Sequence, residues 1–202
     1  MNQHTVFLIP MESPGISVLK PPTVYPFKES PIAQGEVGFT DVRVPASNIL
    51  LGEGRGSEIA HGRLGPGRIH HCMRLIGSAE RILQLMVDKV DRKSQEDQGP
   101  MLQDIALSRI ELDQARLLTL KAALMMDTGG LEMAAQDVLM IKVVVPKMCM
   151  SVMDRAEQVL GGGDVDSDLL LRQLCSWTRA LRLSDGSDHL QLRMIAKREF
   201  EK

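Results

Sequence analysis

The sequence predicts an α+β fold, mainly α, in which a helical bundle of the four-helix-bundle type follows a partial β-domain. Seven of the ten prolines lie before residue 50, between short apolar runs. From about Ser57 onward, apolar residues recur every three or four positions instead. The first pattern is typical of short strands joined by turns, and the second of amphipathic helices. We expect the boundary to divide residues 1–54 from residues 55–202.

Strand character in the first part is confined to four short runs, which Pro and Gly turns separate. They are Val6–Ile9, Ile16–Leu19, Glu36–Phe39 and Val42–Val44. So few strands do not close a sandwich unaided. The segment is therefore interpreted as part of a β-domain.

Three long apolar stripes with helical spacing follow, over residues 69–90, 106–124 and 131–159. A stripe of this kind normally faces a core. Pro146 falls inside the third stripe and is expected to kink or split its helix.

Glycine and proline divide these helices from one another. Gly99-Pro100 and Gly129-Gly130 separate the three stripes. Two shorter helices, roughly Ser167–Leu181 and Ser187–Glu199, are expected after them. Long helices joined by short links form a bundle.

The composition is that of a globular chain, with 44% apolar and 25% charged residues. The net charge of −2 gives no electrostatic footprint for nucleic acid or an anionic membrane. No apolar run approaches the roughly 18 residues that a membrane span needs. The three cysteines, which are far apart in apolar contexts, are expected to be reduced core thiols: Cys72, Cys149 and Cys175.

The turn Ser184-Asp185-Gly186-Ser187 joins the last two expected helices. A carboxylate on a short glycine turn is presented to a cleft rather than packed in a core. The same residues also make an ordinary turn and helix N-cap, because Asp and Ser favour turns and Gly permits a positive φ. Local sequence leaves both interpretations open.

No metal site is expected. His70-His71-Cys72 supplies suitable atoms, but consecutive side chains on a helix diverge by about 100°. The acids at residues 164–168 begin like a calcium loop, yet Leu169 stands where glycine is needed and Cys175 where the bidentate acid is needed.

The glycine clusters are also ambiguous. Gly52-Glu53-Gly54-Arg55-Gly56 fits neither dinucleotide nor phosphate-loop spacing, and is better explained as a hinge. Residues 161–163 are all glycine and end a helix, which is a routine use of glycine. Three in a row would also let a flat ligand approach the backbone.

Five separated motifs in this order resemble the acyl-CoA dehydrogenase family over nearly the whole chain. They are Arg43-Val44-Pro45 with residues 48–52, residues 62–74, Gln158 to Gly162, the turn at 184–187, and residues 195–199. The stretch at 62–74 is especially similar to the long multidomain members 10 and 11. The resemblance implies that the chain corresponds to the C-terminal part of such a protein, namely half of the β-domain and the bundle.

The resemblance implies a flavin-dependent oxidation of an acyl-CoA thioester, as in fatty acid β-oxidation. Asp185 takes the position of the base that removes the α-proton, where most of the family has Glu. Its backbone N–H would help to polarise the thioester carbonyl. Gly186 and Arg68 would lie against the acyl-CoA.

The same resemblance implies FAD as the cofactor. Ser187 and Asp188 would contact flavin directly. Residues of the neighbouring subunit would meet its adenine end or line the same interface: Gln158, Val159, Leu160, Gly161, Gly162, Arg92, Ser94 and Gln103. Sites shared in this way imply a homodimer, or a tetramer formed by two dimers.

Departures from the family pattern favour a competing hypothesis. Gln95-Glu96-Asp97 stands where Phe-Gly-Lys is usual, and Asp164 introduces an acid near the expected adenine site. The alternative is therefore a non-catalytic helical module for dimerisation. Electron-transfer flavoprotein is the partner that the family implies. The compartments that the family implies are the mitochondrion and the peroxisome. The C-terminal Phe-Glu-Lys is not a peroxisomal signal, so the mitochondrion is favoured.

Overall fold

The computed structural model describes residues 4–20, 35–91, 99–161 and 169–200. The chain divides into two compact units, residues 1–64 and 65–202. The described elements are four strands, β1 (Val6–Phe7), β2 (Ile16–Lys20), β3 (Glu36–Phe39) and β4 (Ile49–Leu50), and four helices, α1 (Gly56–Asp91), α2 (Gly99–Leu160), α3 (Leu169–Leu183) and α4 (Asp188–Phe200). This set of long helices and short strands confirms the predicted fold class, which is α+β and mainly α.

The strands form two antiparallel pairs. β1 pairs with β4, placing Val6 opposite Leu50, and β2 pairs with β3, placing Ile16 opposite Phe39. The prediction of a strand at Val42–Val44 is wrong, and β4 lies a few residues later. The segment is bounded by Asp41, which has a φ of 49°, and by Pro45, which has no N–H to donate to a ladder.

The first and third apolar stripes form the core of the helical unit. In α1, Ile76, Ile82 and Met86 are at most 2% exposed. Ile141 and Val145 of α2 are fully buried in the same cluster. Both stripes therefore face a core, as the helical spacing predicts.

Glycine and proline have different effects on α2. Gly130 has a φ of 69° and a ψ of −165°, which interrupts the helix, and this confirms the expected separation there. Pro146 does not split the helix, whose backbone remains helical around it. Val145, Pro146 and Cys149 are buried, so core packing offsets the backbone hydrogen bond that proline removes.

The prediction that the second stripe faces the core is wrong. Ile110, Leu117, Leu120 and Leu124 are 50–68% exposed. The core side of this part of α2 carries small or polar residues together with one leucine, namely Ser108, Leu112, Ala115, Thr119 and Ala122. Helical spacing identifies an apolar face, but it does not specify whether the chain itself covers that face.

Ion pairs join α1 to α2 at the surface. The carboxylate of Glu80 accepts hydrogen bonds from Arg109 and Arg116, and Asp113 bridges the two arginines. Hydrogen bonding to Arg109, followed by that to Arg116, lowers the pKa of Glu80 to about 2. The network fixes the two helices side by side.

Candidate functional site

The site lies at the turn between α3 and α4, which is formed by Leu183-Ser184-Asp185-Gly186-Ser187. Asp185 has a φ of 56° and Gly186 a φ of 105°. Left-handed backbone is costly for most residues, but Asp and Asn adopt it more readily than others. An Asp-Gly pair is therefore suited to this short turn between the two helices.

Two side chains hold the backbone of the turn. A terminal nitrogen of Arg68 donates to the Asp185 carbonyl at 2.6 Å. The amide Nε2 of the fully buried Gln191 donates to the carbonyls of Asp185 and Gly186, at 3.3 and 3.5 Å. A Cβ at Gly186 would lie 2.7 Å from that amide nitrogen. Glycine is thus required here both by its φ and by this close approach.

The side chain of Asp185 is 18% exposed and faces His71 of α1. The Nδ1 of His71 lies 3.5 Å from the Oδ2 of Asp185. Burial lowers the pKa of His71, and the Asp185 carboxylate partly opposes this by raising it. The carboxylate is therefore largely shielded from solvent and has a titratable neighbour.

A buried lysine supports the turn from α2. Lys142 is 2% exposed, and its ammonium donates to the carbonyl of Leu181 at 2.6 Å. The last carbonyls of a helix have no partner within the helix, so this bond caps α3. Burial lowers the pKa of Lys142, while nearby Cys72, Asp185 and Asp188 raise it.

Asp188, predicted to contact flavin, begins α4 and pairs with Arg182 at the end of α3. Arg182 donates through Nε at 3.0 Å and through a terminal nitrogen, both to Oδ2. The other oxygen, Oδ1, is buried and accepts no hydrogen bond from the described residues. One acceptor thus remains free beside the turn.

The remaining predicted site residues differ in accessibility. Ser187, Gln103 and Gln158 are exposed, and Leu160 is half-buried. Val159 is 3% exposed and packs in the core, so it is not accessible to a ligand. Gly161 ends α2 with a φ of 79°. Arg92, Ser94 and Gly162 lie outside the described residues.

The structure brings together residues that are distant in sequence. Arg68 and Asp185 are 117 positions apart, yet they are hydrogen-bonded. His71, Lys142 and Gln191 join the same cluster, and sequence reasoning assigned none of them a role. Of these three residues, only Lys142 could have been identified from the sequence. It lies four positions after Val138 and three before Val145, on the apolar face of the third stripe.

The described part of the chain carries neither a cluster of metal ligands nor a membrane-spanning helix. Over residues 4–20, 35–91, 99–161 and 169–200, His, Cys, Asp and Glu side chains form no group of three able to hold a metal ion. Cys72, Cys149 and Cys175 are free thiols. The first two are buried in the core, as predicted, whereas Cys175 is half-buried. None of the described helices has the length and apolar character needed to cross a membrane.

Comparison with known proteins identifies the family. Residues 54–200 match the family model "Acyl-CoA dehydrogenase, C-terminal domain". Relatives named acyl-CoA dehydrogenase family members 10 and 11 are 44–52% identical over nearly the whole chain. Member 10 of Mus musculus is 52% identical over 99% of this chain, which spans 19% of that relative's length.

Solved structures share the fold. Butyryl-CoA dehydrogenase from Megasphaera elsdenii superposes with a TM-score of 0.83 and 25% identity, over 98% of this chain and 52% of the other. The structure of PigA with FAD and proline gives a TM-score of 0.85 at 22% identity, over 96% of this chain and 51% of the other. The second likeness concerns the fold alone. From its sequence, and in agreement with this fold, the chain belongs to the acyl-CoA dehydrogenase family.

Proposed function

We propose that this chain contributes the base of a flavin-dependent acyl-CoA dehydrogenase, which introduces a double bond between the α and β carbons of a fatty acyl-CoA thioester. The observation that carries the proposal is the largely buried carboxylate of Asp185, on a turn whose backbone is held in place. Its backbone is left-handed, and Arg68 and Gln191 bind its carbonyl. A general base must first be positioned to reach its proton, and this turn provides such a position.

In the proposed reaction, a carboxylate oxygen of Asp185 takes the α-proton. The electron pair of that C–H bond forms the π bond of the new Cα=Cβ double bond as the β-hydrogen departs with its electrons. FAD, when bound, supplies the acceptor for that hydride. The backbone N–H of Asp185 polarises the thioester carbonyl, which makes the α-proton more acidic.

Arg68 is proposed to act on both the turn and the substrate. Its terminal nitrogen binds the Asp185 carbonyl at 2.6 Å. Its Nε is buried and has no hydrogen-bond partner among the described residues. A buried donor without a partner is costly, so an acceptor on the acyl-CoA, such as a carbonyl oxygen, would satisfy it.

The described residues fit an FAD molecule at the predicted positions. Asp188 keeps one buried acceptor oxygen free, which suits a hydroxyl or ring N–H of the cofactor. Ser187 presents an exposed hydroxyl beside it. Gln158 and Gly161 offer an accessible amide and a backbone without a side chain at the end of α2. These four residues are proposed to hold FAD, the last two from the neighbouring subunit.

A homodimer is proposed because α2 has an uncovered apolar stripe. Ile110, Leu117, Leu120 and Leu124 are all at least 50% exposed and lie at helical spacing. A contiguous apolar face of this kind is typical of an interaction surface. A second copy of the same chain is the occupant proposed, since its own stripe offers the complementary apolar face in an isologous contact.

The physiological setting is also a proposal and rests on the family. Electron-transfer flavoprotein is proposed as the electron acceptor, with the mitochondrion as the compartment and the peroxisome as the alternative. Fractionation of cells that express a tagged protein distinguishes the two compartments. Accumulation with peroxisomal markers would contradict the mitochondrial proposal.

A second candidate function is a non-catalytic dimerisation module. One observation favours it, namely the exposed apolar stripe of α2. In this case the bundle would assemble without binding flavin. The two functions differ in whether the chain takes up FAD.

A spectroscopic experiment separates them. The purified chain is incubated with FAD, desalted and examined for visible flavin absorbance, and an acyl-CoA is then added under exclusion of oxygen. The proposal predicts retained flavin that the acyl-CoA bleaches. Asp185→Asn should retain flavin without bleaching, whereas Asp127→Asn, which changes an exposed acid on α2, should bleach like the wild type. A helical dimer that takes up no FAD would contradict the enzymatic proposal and support the module.

A further inference from the structure

His71 carries a feature that the proposed function leaves unused. Its Nδ1 is buried and has no hydrogen-bond partner among the described residues. A buried polar atom without a partner costs free energy, so such an atom in a native structure requires an explanation. The Asp185 carboxylate lies 3.5 Å away, across the gap between α1 and the turn.

The distance between Nδ1 of His71 and Oδ2 of Asp185 allows the contact to shorten when a ligand binds or when the ring gains a proton. At 3.5 Å, Nδ1 and Oδ2 are within ion-pair distance but beyond a good hydrogen bond. Contacts of this kind in active sites are often long without substrate and shorten when it is bound. The side chains are 30% and 18% exposed, so solvent screens the pair only in part.

Four ionisable groups affect the imidazole from the elements around it. Asp185 on the turn favours its charged form, whereas His70 and Arg74 of α1 and Lys142 of α2 disfavour it. Burial is the largest influence and also favours the neutral form, so the pKa of His71 is lowered. The ordinary pKa of histidine is about 6.5, and the His71 ring therefore releases its proton more readily than an ordinary histidine does.

We propose that His71 is a positioning residue for Asp185, which orients the carboxylate through Nδ1 and makes its strength as a base depend on the charge of the imidazole. With a neutral ring, Nδ1–H can orient the carboxylate without placing a positive charge beside it. With a protonated ring, the added positive charge stabilises the carboxylate and weakens it as a base. The catalytic part of this inference rests on the proposed function, but the coupling between the two side chains does not.

The coupling is tested without cofactor or substrate. The midpoint of the His71 ring signals is followed by NMR titration of the full chain, in the wild type and in Asp185→Asn. Because the carboxylate raises the pKa of His71, its removal should move the midpoint to lower pH. Asp127→Asn should leave the midpoint in place. An unchanged midpoint in Asp185→Asn would overturn the proposal.

The catalytic consequence is tested in the flavin-loaded chain. The rate of flavin reduction by acyl-CoA is measured against pH for the wild type, His71→Asn, His71→Ala and His70→Asn. A partly exposed ion pair contributes about 0.2–1 kcal/mol. If protonated His71 stabilises the carboxylate by this amount, the rate below the His71 midpoint should be about 1.4- to 5-fold lower than the rate above it. This step in the pH profile should remain in His70→Asn and be absent from both His71 variants.

The His71 variants also separate positioning from simple packing. The Asn amide can take the place of Nδ1 without titrating, so His71→Asn should retain more activity than His71→Ala, with no step in either profile. A step that persists in both variants would overturn the proposal. Failure of the proposed function would look different, because the chain would then bind no flavin while the His71 midpoint still responded to Asp185→Asn.

Discussion

Arg182 at the end of α3 and Asp188 at the start of α4 form an ion pair that bridges the turn carrying Asp185. Arg182 donates through two nitrogens to one carboxylate oxygen of Asp188, with Nε at 3.0 Å. The two residues thus fix the ends of the helices between which the proposed base is held. Because Arg182 is 38% exposed and Asp188 20% exposed, the pair is neither fully solvated nor fully buried.

Removal of this pair should destabilise the chain modestly. We expect Arg182→Met to lower the free energy of unfolding by about 1 kcal/mol, since the bond is charge-assisted but partly screened. Urea unfolding of Arg182→Met, Asp188→Asn and the double variant measures the coupling between the two residues. Strictly additive effects would contradict the bridging role.

Gly186→Ala should be more damaging than an ordinary glycine substitution. Gly186 has a φ of 105°, and a Cβ there would lie 2.7 Å from the Gln191 amide nitrogen. We expect a loss of about 1–3 kcal/mol of stability from backbone strain alone. In Gly67→Ala, a helical position with no atom within 4 Å of the added Cβ, stability should instead rise by about 0.5–1 kcal/mol. Thermal unfolding of both variants makes the comparison, and equal effects would contradict it.

Glu80 should make stability depend on acid pH. Its pKa falls from 4.5 to about 2 in the folded chain, mainly through its hydrogen bond with Arg109. Its contribution is therefore present above pH 4.5 and lost as the pH falls from 4.5 towards 2. Because its side chain is 40% exposed, we expect only about 1 kcal/mol.

The measurement compares wild type with Glu80→Gln by urea unfolding between pH 2 and 7. The stability difference should be constant near neutrality and shrink across this acid window. A difference that persists unchanged at pH 2 would show that the charge of Glu80 is not its source. Glu132→Gln, at an exposed position of α2, is a suitable control.

The exposed stripe of α2 should control self-association. Leu117→Glu places a charge on a residue that is 68% exposed, so folding of the monomer should be little affected. Because symmetry repeats the change in both copies, and each buried leucine contributes about 1.5–3 kcal/mol, dimer dissociation should increase by at least about 100-fold.

Analytical ultracentrifugation over a range of concentrations measures this change. Val87→Glu is the matched control, since Val87 is 39% exposed on α1 outside the stripe. It should leave the dimer intact. A dimer that survives Leu117→Glu but is lost in the control would place the interface elsewhere.

The structure agrees best with the sequence-based predictions where local pattern determines the backbone. The bundle, the break at Gly130 and the turn at Asp185 all follow from helical spacing and from glycine next to a turn-forming acid. Whether the second apolar stripe faces the core could not be predicted from its spacing, because an apolar face can pack equally well against a core or against a partner.

The environment of Asp185 could not be read from sequence for a different reason. Arg68 and His71 lie more than 110 positions before it, and Lys142 contacts the end of α3 from another helix. Such contacts depend on how helices pack, and that packing is determined by the whole core rather than by any local motif. The lowered pKa values of His71 and Lys142 are consequences of the same burial.

Hydrogen exchange at the α-carbon shows whether Asp185 removes the α-proton. The flavin-loaded chain is incubated with an acyl-CoA in D₂O without oxygen, and deuterium at the α-carbon is measured by mass spectrometry. The account predicts α-exchange in the wild type and in Asp127→Asn, and its loss in Asp185→Asn with flavin still bound. Undiminished α-exchange in Asp185→Asn would contradict the assignment of Asp185 as the base.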